Sequence, residues 1–264
     1  MKNILLGVWL FRRFILSSVR AEFRGRFAAS RLGGWWIILH PLAQAMIFAF
    51  VLSAVLSAKL PGINNRYAYA LYLMAGMLAW SLFTEIIIRS LSIFIENAPL
   101  MKKMAFPRIC LPCIACGSVL VGNICLLGAI LVVFACLGHL PGITVLWLPL
   151  LMTLNIALAM GIGLILGVLN VFLRDIGQVV PVILQLGFWF TPIVYMRAII
   201  PEQYRNWLAL NPMDHVVGAY QQVLVFHATP PLRPLAILGL ISLLLLAFAL
   251  LLFRRASSEM VDAL

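Results

Sequence analysis

Repeated apolar stretches, each close to the length of one bilayer crossing, leave this chain few folds to adopt. Hydrocarbon about 30 Å thick takes about 20 mainly apolar residues of helix to cross. Six stretches of that kind occur, at 34–57, 68–93, 111–137, 145–171, 176–195 and 234–253. Lipid offers no partner for a peptide N–H or C=O, so such stretches fold as helices that satisfy their own backbone. The chain is 64% hydrophobic and 10% charged, against about half and about a quarter in a water-soluble domain. The expected fold is therefore an all-α integral membrane protein with six transmembrane helices. The fifth is the least regular, because Pro181 and Pro192 fall within it and neighbouring helices must re-satisfy the carbonyls they free.

The formal charge is +11. Gathered on a soluble face it would suggest nucleic acid, but the cations lie between apolar stretches, where they meet anionic headgroups and set orientation. No nucleic-acid partner is expected. Lys2, Arg12, Arg13, Arg20, Arg24, Arg26, Arg31, Lys102, Lys103, Arg108, Arg174, Arg254 and Arg255 fall on one side of a six-span topology. Only Lys59, Arg66, Arg197, Arg205 and Arg233 fall on the other. The excess assigns the first side, with both termini, to the cytoplasm.

Segments outside the spans carry patterns of their own. Leu16, Val19, Phe23 and Phe27 step by three or four, while Arg13, Ser17, Arg20 and Arg24 keep the same rhythm on another face. A basic helix with such an apolar face lies in the headgroup plane, so residues 1–33 read as a cytoplasmic amphipathic segment. The short apolar run at 4–11 is closed by Arg12 and Arg13 with no small-residue cleavage site, so the N-terminus reads as retained. Between 196 and 233, Pro201, Pro212, Pro230 and Pro231 separate apolar pieces too short to cross. An interfacial or re-entrant hairpin on the outer face is expected there. Residues 34–253 then form the transmembrane domain and 254–264 a cytoplasmic tail.

Chemistry-bearing motifs are scarce. There is no G-x-x-x-x-G-K-[ST] phosphate loop, no H-E-x-x-H and no G-x-S-x-G, so no catalytic residue is assigned and the chain offers no energy source of its own. Of eight Asp and Glu, only Glu85 lies well inside a span, whereas ion-driven transporters keep several ionisable groups at depth. Glu85 precedes Arg89 by one turn, the favourable order for an intrahelical ion pair. Such a pair either neutralises itself against neighbouring helices or lines a polar conduit. Five cysteines are present, Cys110, Cys113, Cys116, Cys125 and Cys136; the first three recur every third residue with no His or carboxylate nearby, and a structural zinc needs four converging ligands, so neither a metal site nor a disulfide framework is expected. Gly163 and Gly167 form the G-x-x-x-G of close helix packing.

The segment 96–108 starts acidic at Glu96 and ends basic at Lys102, Lys103 and Arg108, as a short helix prefers at its two ends. Leu100, Met101, Met104 and Phe106 give it an apolar side. That side suits a partner's groove; the alternative is an ordinary interfacial loop.

Longer motifs carry a resemblance. The Ala-Gly-Met-Leu-Ala-Trp run ending at Trp80, and the Glu-Asn-Ala-Pro-Leu-Met-Lys-Lys-Met-Ala-Phe-Pro-Arg run from Glu96 to Arg108, resemble permeases of the ABC type-2 family. Within that family they are most similar to the subfamily exporting O-antigen and capsular polysaccharides (Wzm-like). Three further blocks agree in collinear order: Phe23-Arg24-Gly25-Arg26-Phe27 with Trp36 and Pro41; Leu169-Asn170-Val171-Phe172-Leu173-Arg174-Asp175-Ile176; and Leu210-Asn211-Pro212-Met213. The cysteine-rich start of the third span departs from the pattern.

The resemblance implies a homodimeric permease in a bacterial inner membrane, paired with two copies of a nucleotide-binding subunit that holds ATP and Mg; this chain itself would need no cofactor. Glu96, Asn97, Leu100, Lys102, Lys103, Phe106, Pro107 and Arg108 would belong to a coupling helix against that ATPase. Segment 1–33 would be an interface helix, and 196–233 re-entrant gate helices. The implied cargo is a lipid-linked polysaccharide. Sugar rings have CH-rich faces, so a passage for them needs aromatic platforms. Tyr69, Tyr72, Trp80, Phe83, Phe188, Trp189, Phe190 and Tyr195 cluster on the second and fifth spans, where they either line that passage with Glu85 and Arg89 or form an interfacial belt. Arg24, Arg26 and Arg31 either receive the anchor's diphosphate or hold lipid headgroups. Rival expectations are an exporter of the same type for a drug, a lipid or a teichoic-acid-like polymer, an integral-membrane transferase of lipid-linked sugars, or a scaffold.

Overall fold

The computed structural model describes residues 9–27, 33–50, 67–103, 107–197, 200–201, 203, 208, 210–257 and 259–260. Among the described residues there are helices and no strand. In chain order they are α1 (Arg12–Phe27), α2 (Trp36–Phe50) behind a 3-10 turn at Gly33–Trp35, α3 (Ala68–Glu96), α4 (Ala98–Lys103) and α5 (Cys110–Cys136). A second 3-10 turn, Ile143–Trp147, runs straight into α6 (Leu148–Phe172); α7 (Ile176–Trp189), α8 (Pro212–Leu224) and α9 (Leu232–Ala256) follow.

Among the described residues, four helices are long and apolar enough to cross a membrane: Ala68–Glu96, Cys110–Cys136, Ile143–Phe172 and Leu232–Ala256. These agree with four of the six expected spans. For the first stretch, the described helix is α2, fifteen residues long; residues 51–57 lie outside the described part. The fifth differs from expectation. α7 has fourteen residues, about 21 Å at about 1.5 Å per residue, and a turn replaces helix over 190–195. Pro192 is the physical cause, since it has no N–H to donate and pushes Thr191 out of helical backbone.

α3 is the axis of the bundle, packed on α6, α5, α8, α2 and α7. Leu71, Leu73, Leu78, Leu82, Ile86, Ile87 and Phe94 are fully buried along it. α9 lies on the far side of α6 and α1 crosses α5. Polar side chains are turned inward. Asn155 Nδ2 donates to the Ala79 carbonyl at 2.8 Å and Asn170 Nδ2 to the Leu91 carbonyl at 2.7 Å. Asn170 Oδ1 also accepts the Gly177 N–H at 2.8 Å, pinning the start of α7. Leu240, Leu243, Leu244, Phe248 and Leu251 of α9 are exposed instead. Amides inside and leucines outside make an arrangement suited to hydrocarbon, where an unpaired amide costs most.

Two close approaches depend on glycine. A Cβ at Gly167 would collide with the Ser90 carbonyl oxygen, and one at Gly163 would lie 2.8 Å from Ser90 Oγ, so the G-x-x-x-G is the contact of α6 with α3. At Gly76, a Cβ would meet Gln221 Nε2 at 3.0 Å and Ile193 at 3.2 Å. That position is eight residues into α3, about 12 Å along its axis. The expected non-spanning segment thus holds a 13-residue helix, α8, that packs well below the end of α3.

Candidate functional site

A cleft of about 870 Å³ opens between α2, α3, α5 and α7. Each wall follows from helical spacing. Trp36, His40 and Gln44 stand four residues apart on one face of α2, and Trp80, Thr84 and Ile88 do the same on α3. Glu85 and Arg89 continue the α3 wall towards the end that carries α4; Gln185, Phe188 and Trp189 come from α7 and Asn123 from α5.

Its chemistry is mixed aromatic and amide. The Trp80 ring lies 5.9 Å from Phe188, and Phe188 meets Trp189 edge-on at 5.6 Å. Thr84 Oγ1 donates to the Trp80 carbonyl at 3.0 Å and Ser81 Oγ to the Leu78 carbonyl at 3.1 Å, so both hydroxyls spend their proton on their own helix and keep oxygen lone pairs as acceptors. Asn123 Nδ2 donates to the Leu78 carbonyl at 3.1 Å and to Ser81 Oγ at 3.3 Å. Flat π-faces beside hydroxyl and amide groups suit a ligand with both CH-rich faces and hydroxyls.

At the α4 end of the cleft, Arg89 Nη2 lies 2.9 Å from Glu22 Oε1 of α1. The expected intrahelical pair with Glu85 is therefore replaced by one between helices. Each side chain is about a quarter exposed (22% and 24%). α1 can reach Arg89 because Val19 packs on Gly117 of α5, where a Cβ would lie 2.8 Å from Val19 Cγ2.

The structure brings Trp80, Glu85, Arg89, Phe188 and Trp189 together around the cleft. Tyr69, Tyr72, Phe83 and Tyr195, expected with them, stand elsewhere. Tyr69 and Tyr72 are buried. Tyr69 Oη donates to the Val194 carbonyl, while Tyr72 Oη donates to the Pro192 carbonyl at 3.2 Å. Tyr195 Oη donates to the Trp189 carbonyl at 2.8 Å. These tyrosines clamp the turn after α7, which the prolines leave short of helical hydrogen bonds. Phe83 is buried behind Trp80, 5.7 Å away. Conversely, the sequence reading missed His40, Gln44, Asn123 and Gln185. The four-residue step from Trp36 to Gln44 in an apolar stretch was the available signal.

The same turn anchors α8. Asn211 caps it, its Oδ1 accepting the Met213 N–H at 3.0 Å, while its Nδ2 donates to Thr191 Oγ1 at 2.9 Å. Gln221 Nε2 donates to the Pro192 carbonyl at 3.2 Å. Asp214 is buried and pairs with Arg197 at 3.1 Å; burial pushes its carboxyl above the usual carboxylate range, with Arg197 and His215 pulling the other way.

At the opposite end, α4 is six residues long, with Asn97 Nδ2 donating to the Ile93 carbonyl at 2.8 Å. Glu96 and Lys102 are exposed, Leu100 and Pro107 half-buried, and Met101 buried. Lys103 ends the helix, and Phe106 lies outside the described residues. Arg108 turns inward: its guanidinium donates to Ser257 Oγ at 2.9 Å and to the Ser257 carbonyl oxygen, tying the segment after α4 to the end of α9. Arg24 is exposed on α1, and Arg26 belongs to the same helix; Arg31 lies outside the described residues.

Residues 13–225 match the ABC-2 type transporter family. The chain is 26% identical over 270 residues to the O-antigen export system permease protein RfbA of Myxococcus xanthus, covering all of both chains. It is 30% identical over 206 residues to an RfbA of Klebsiella pneumoniae, covering 76% of each. With the polysialic acid transport protein KpsM of Escherichia coli it shares 26% over 243 residues, 92% of this chain and 93% of that one. A family match running from α1 to the end of α8, over a bundle with four helices of membrane-crossing length, places this chain in the ABC-2 type transporter family.

Proposed function

We propose that this chain is the permease subunit of an exporter that carries a lipid-linked polysaccharide of the O-antigen or capsule type across the bacterial inner membrane. The observation that carries the reading is the aromatic and amide cleft between α2, α3, α5 and α7, in a chain whose relatives bear polysaccharide-export names. Sugar rings stack by their CH faces on Trp80, Phe188 and Trp189 and share hydroxyl hydrogen bonds with the Gln44 and Gln185 amides. The Glu22–Arg89 pair neutralises the Arg89 cation at the α4 end of the cleft, where Glu85 also stands.

Force comes from elsewhere. The sequence holds no phosphate loop, and the reading assigns ATP and Mg to two copies of a separate nucleotide-binding subunit acting on a homodimer of this chain. α4 is the coupling helix, with Glu96, Asn97, Leu100, Lys102, Lys103, Phe106 and Pro107 at or near the docking surface, and Arg108 behind it. Both termini lie in the cytoplasm, residues 1–33 lie along the inner surface, and α8 belongs to the re-entrant gate at the outer end. Arg24, Arg26 and Arg31 stand where the cargo's anchoring diphosphate arrives.

The test replaces Trp80 or Trp189 by Ala in cells that depend on this chain for surface polysaccharide. Export is expected to fall at least several-fold at unchanged protein level, with polymer accumulating on the inner face. Full export by both variants refutes the cleft as the passage. Accumulation of another lipid-linked polymer or a lipid in a deletion strain, with polysaccharide untouched, refutes the cargo.

A further inference from the structure

We propose that His139 and His227 form a pH-sensitive latch, joining the loop between α5 and α6 to the loop between α8 and α9 and opening when the compartment they face turns acidic. That this compartment is the outer one rests on the orientation proposed above; the latch itself rests on the contacts that follow.

His227 has φ of 52°, the left-handed region that a non-glycine residue seldom occupies unless something holds it. What holds it is a hydrogen bond across the loops: His227 Nδ1 accepts the Gly142 N–H at 3.0 Å. An Nδ1 that accepts belongs to a neutral imidazole with its proton on Nε2. The His139 ring lies 4.7 Å away at an interplanar angle of 43°. His139 meets Phe134 edge-on at 5.9 Å, and its Nε2 is buried without a hydrogen-bond partner.

The groups set against His227 are therefore Gly142 and His139 from the facing loop, with Phe134 of α5 behind. Among the described residues no carboxylate forms an ion pair with His139 or His227; the Arg89–Glu22 and Arg197–Asp214 pairs lie elsewhere. A proton on His227 has two consequences. Nδ1 changes from acceptor to donor and confronts the Gly142 N–H, and a cation appears beside His139 and its buried nitrogen. A second hydrogen bond between these regions, Thr144 Oγ1 donating to the Val223 carbonyl at 2.9 Å, does not titrate. Acid thus removes the His227 tie and leaves the Thr144 tie in place.

The sign follows from linkage. Partial burial, then the neighbouring His139, holds His227 below the ordinary imidazole value. The released loop binds the proton more tightly than the latched one. Latch strength is hence complete above about pH 6.5, the ordinary value, and declines as pH falls through it towards the depressed one.

Only four histidines are present, so the full chain in lipid nanodiscs, labelled at glycine amides and histidine rings, can be titrated by NMR between about pH 8 and about pH 5. The Gly142 amide is expected to shift with the same midpoint as the His227 ring, below that of free histidine. His139→Gln should raise that midpoint. His227→Asn keeps an acceptor near the Nδ1 position and tolerates the left-handed backbone, so the Gly142 amide should become independent of pH. A Gly142 amide indifferent to the His227 titration, or a midpoint unmoved by His139→Gln, overturns the latch; wild type and His139→Gln decide even where His227→Asn misfolds. The measurement reads a loop contact and involves no cargo, so its failure is separate from failure of the export reading.

Discussion

Single side chains in this protein settle electrostatic questions that hydropathy leaves open. Asp214 is buried beside Arg197, yet burial outweighs the cation and raises its pKa. A carboxyl whose pKa is higher folded than unfolded costs stability above its unfolded value, and the cost vanishes as acid protonates both states. Asp214→Asn should therefore unfold at the same or a higher temperature than wild type at neutral pH, and the difference should shrink towards acid. A lower midpoint at neutral pH would show that attraction to Arg197 outweighs the cost of burial. The Glu22–Arg89 pair is partly exposed and worth at most about 1 kcal/mol, so its value is positional. Glu22→Arg or Arg89→Glu alone should lower the thermal midpoint, and the double exchange should recover most of the loss. Additive losses would show that α1 is held to the bundle by Val19 and Gly117 instead.

At the scale of elements, packing distance and end contacts matter more than propensity. Gly167 lets α6 touch the Ser90 carbonyl, and an added methyl has no flexible side chain to displace. Gly167→Ala should destabilise the purified protein by about 1–3 kcal/mol, the usual cost of overpacking, measured by thermal unfolding in detergent. An unchanged midpoint would mean that α3 and α6 can slide apart freely. The two sides of the α4 segment should separate by mutation. Lys102→Glu with Lys103→Glu, on the proposed docking face, should abolish co-purification of the ATPase. Arg108→Ala removes the tie to Ser257 and should keep the ATPase bound while lowering export per ATP hydrolysed. Undiminished capture by the first variant would sink the docking assignment, and unchanged coupling in the second would make the tie merely structural.

For the molecule as a whole, the proposed division of labour predicts that this chain reconstituted alone in vesicles moves no cargo uphill; accumulation against a gradient without an ATPase would end the proposal. Much of the fold was legible because its cause is local. Four helices of crossing length, the short helix around Asp214 and the glycine contact of α6 each follow from run length, proline placement or a spacing that every residue carries with it. The same reading overextended α7 by treating Pro192 as tolerable where it ends the helix.

Helix rotation was not legible. In water the apolar face marks the inside, but lipid is as apolar as a protein core, so a helix such as α5 gives no hydropathic sign of which side turns inward. Tertiary structure alone therefore decided that Trp80 faces the cleft while Tyr69, Tyr72 and Phe83 are buried, and that Arg89 pairs with Glu22 across helices. The amino-acid order determined which segments enter hydrocarbon, since transfer free energy adds up along one stretch. Which side chains meet depended on how finished helices packed, through contacts such as the Asn155 and Asn170 hydrogen bonds to α3 that join residues far apart in the chain.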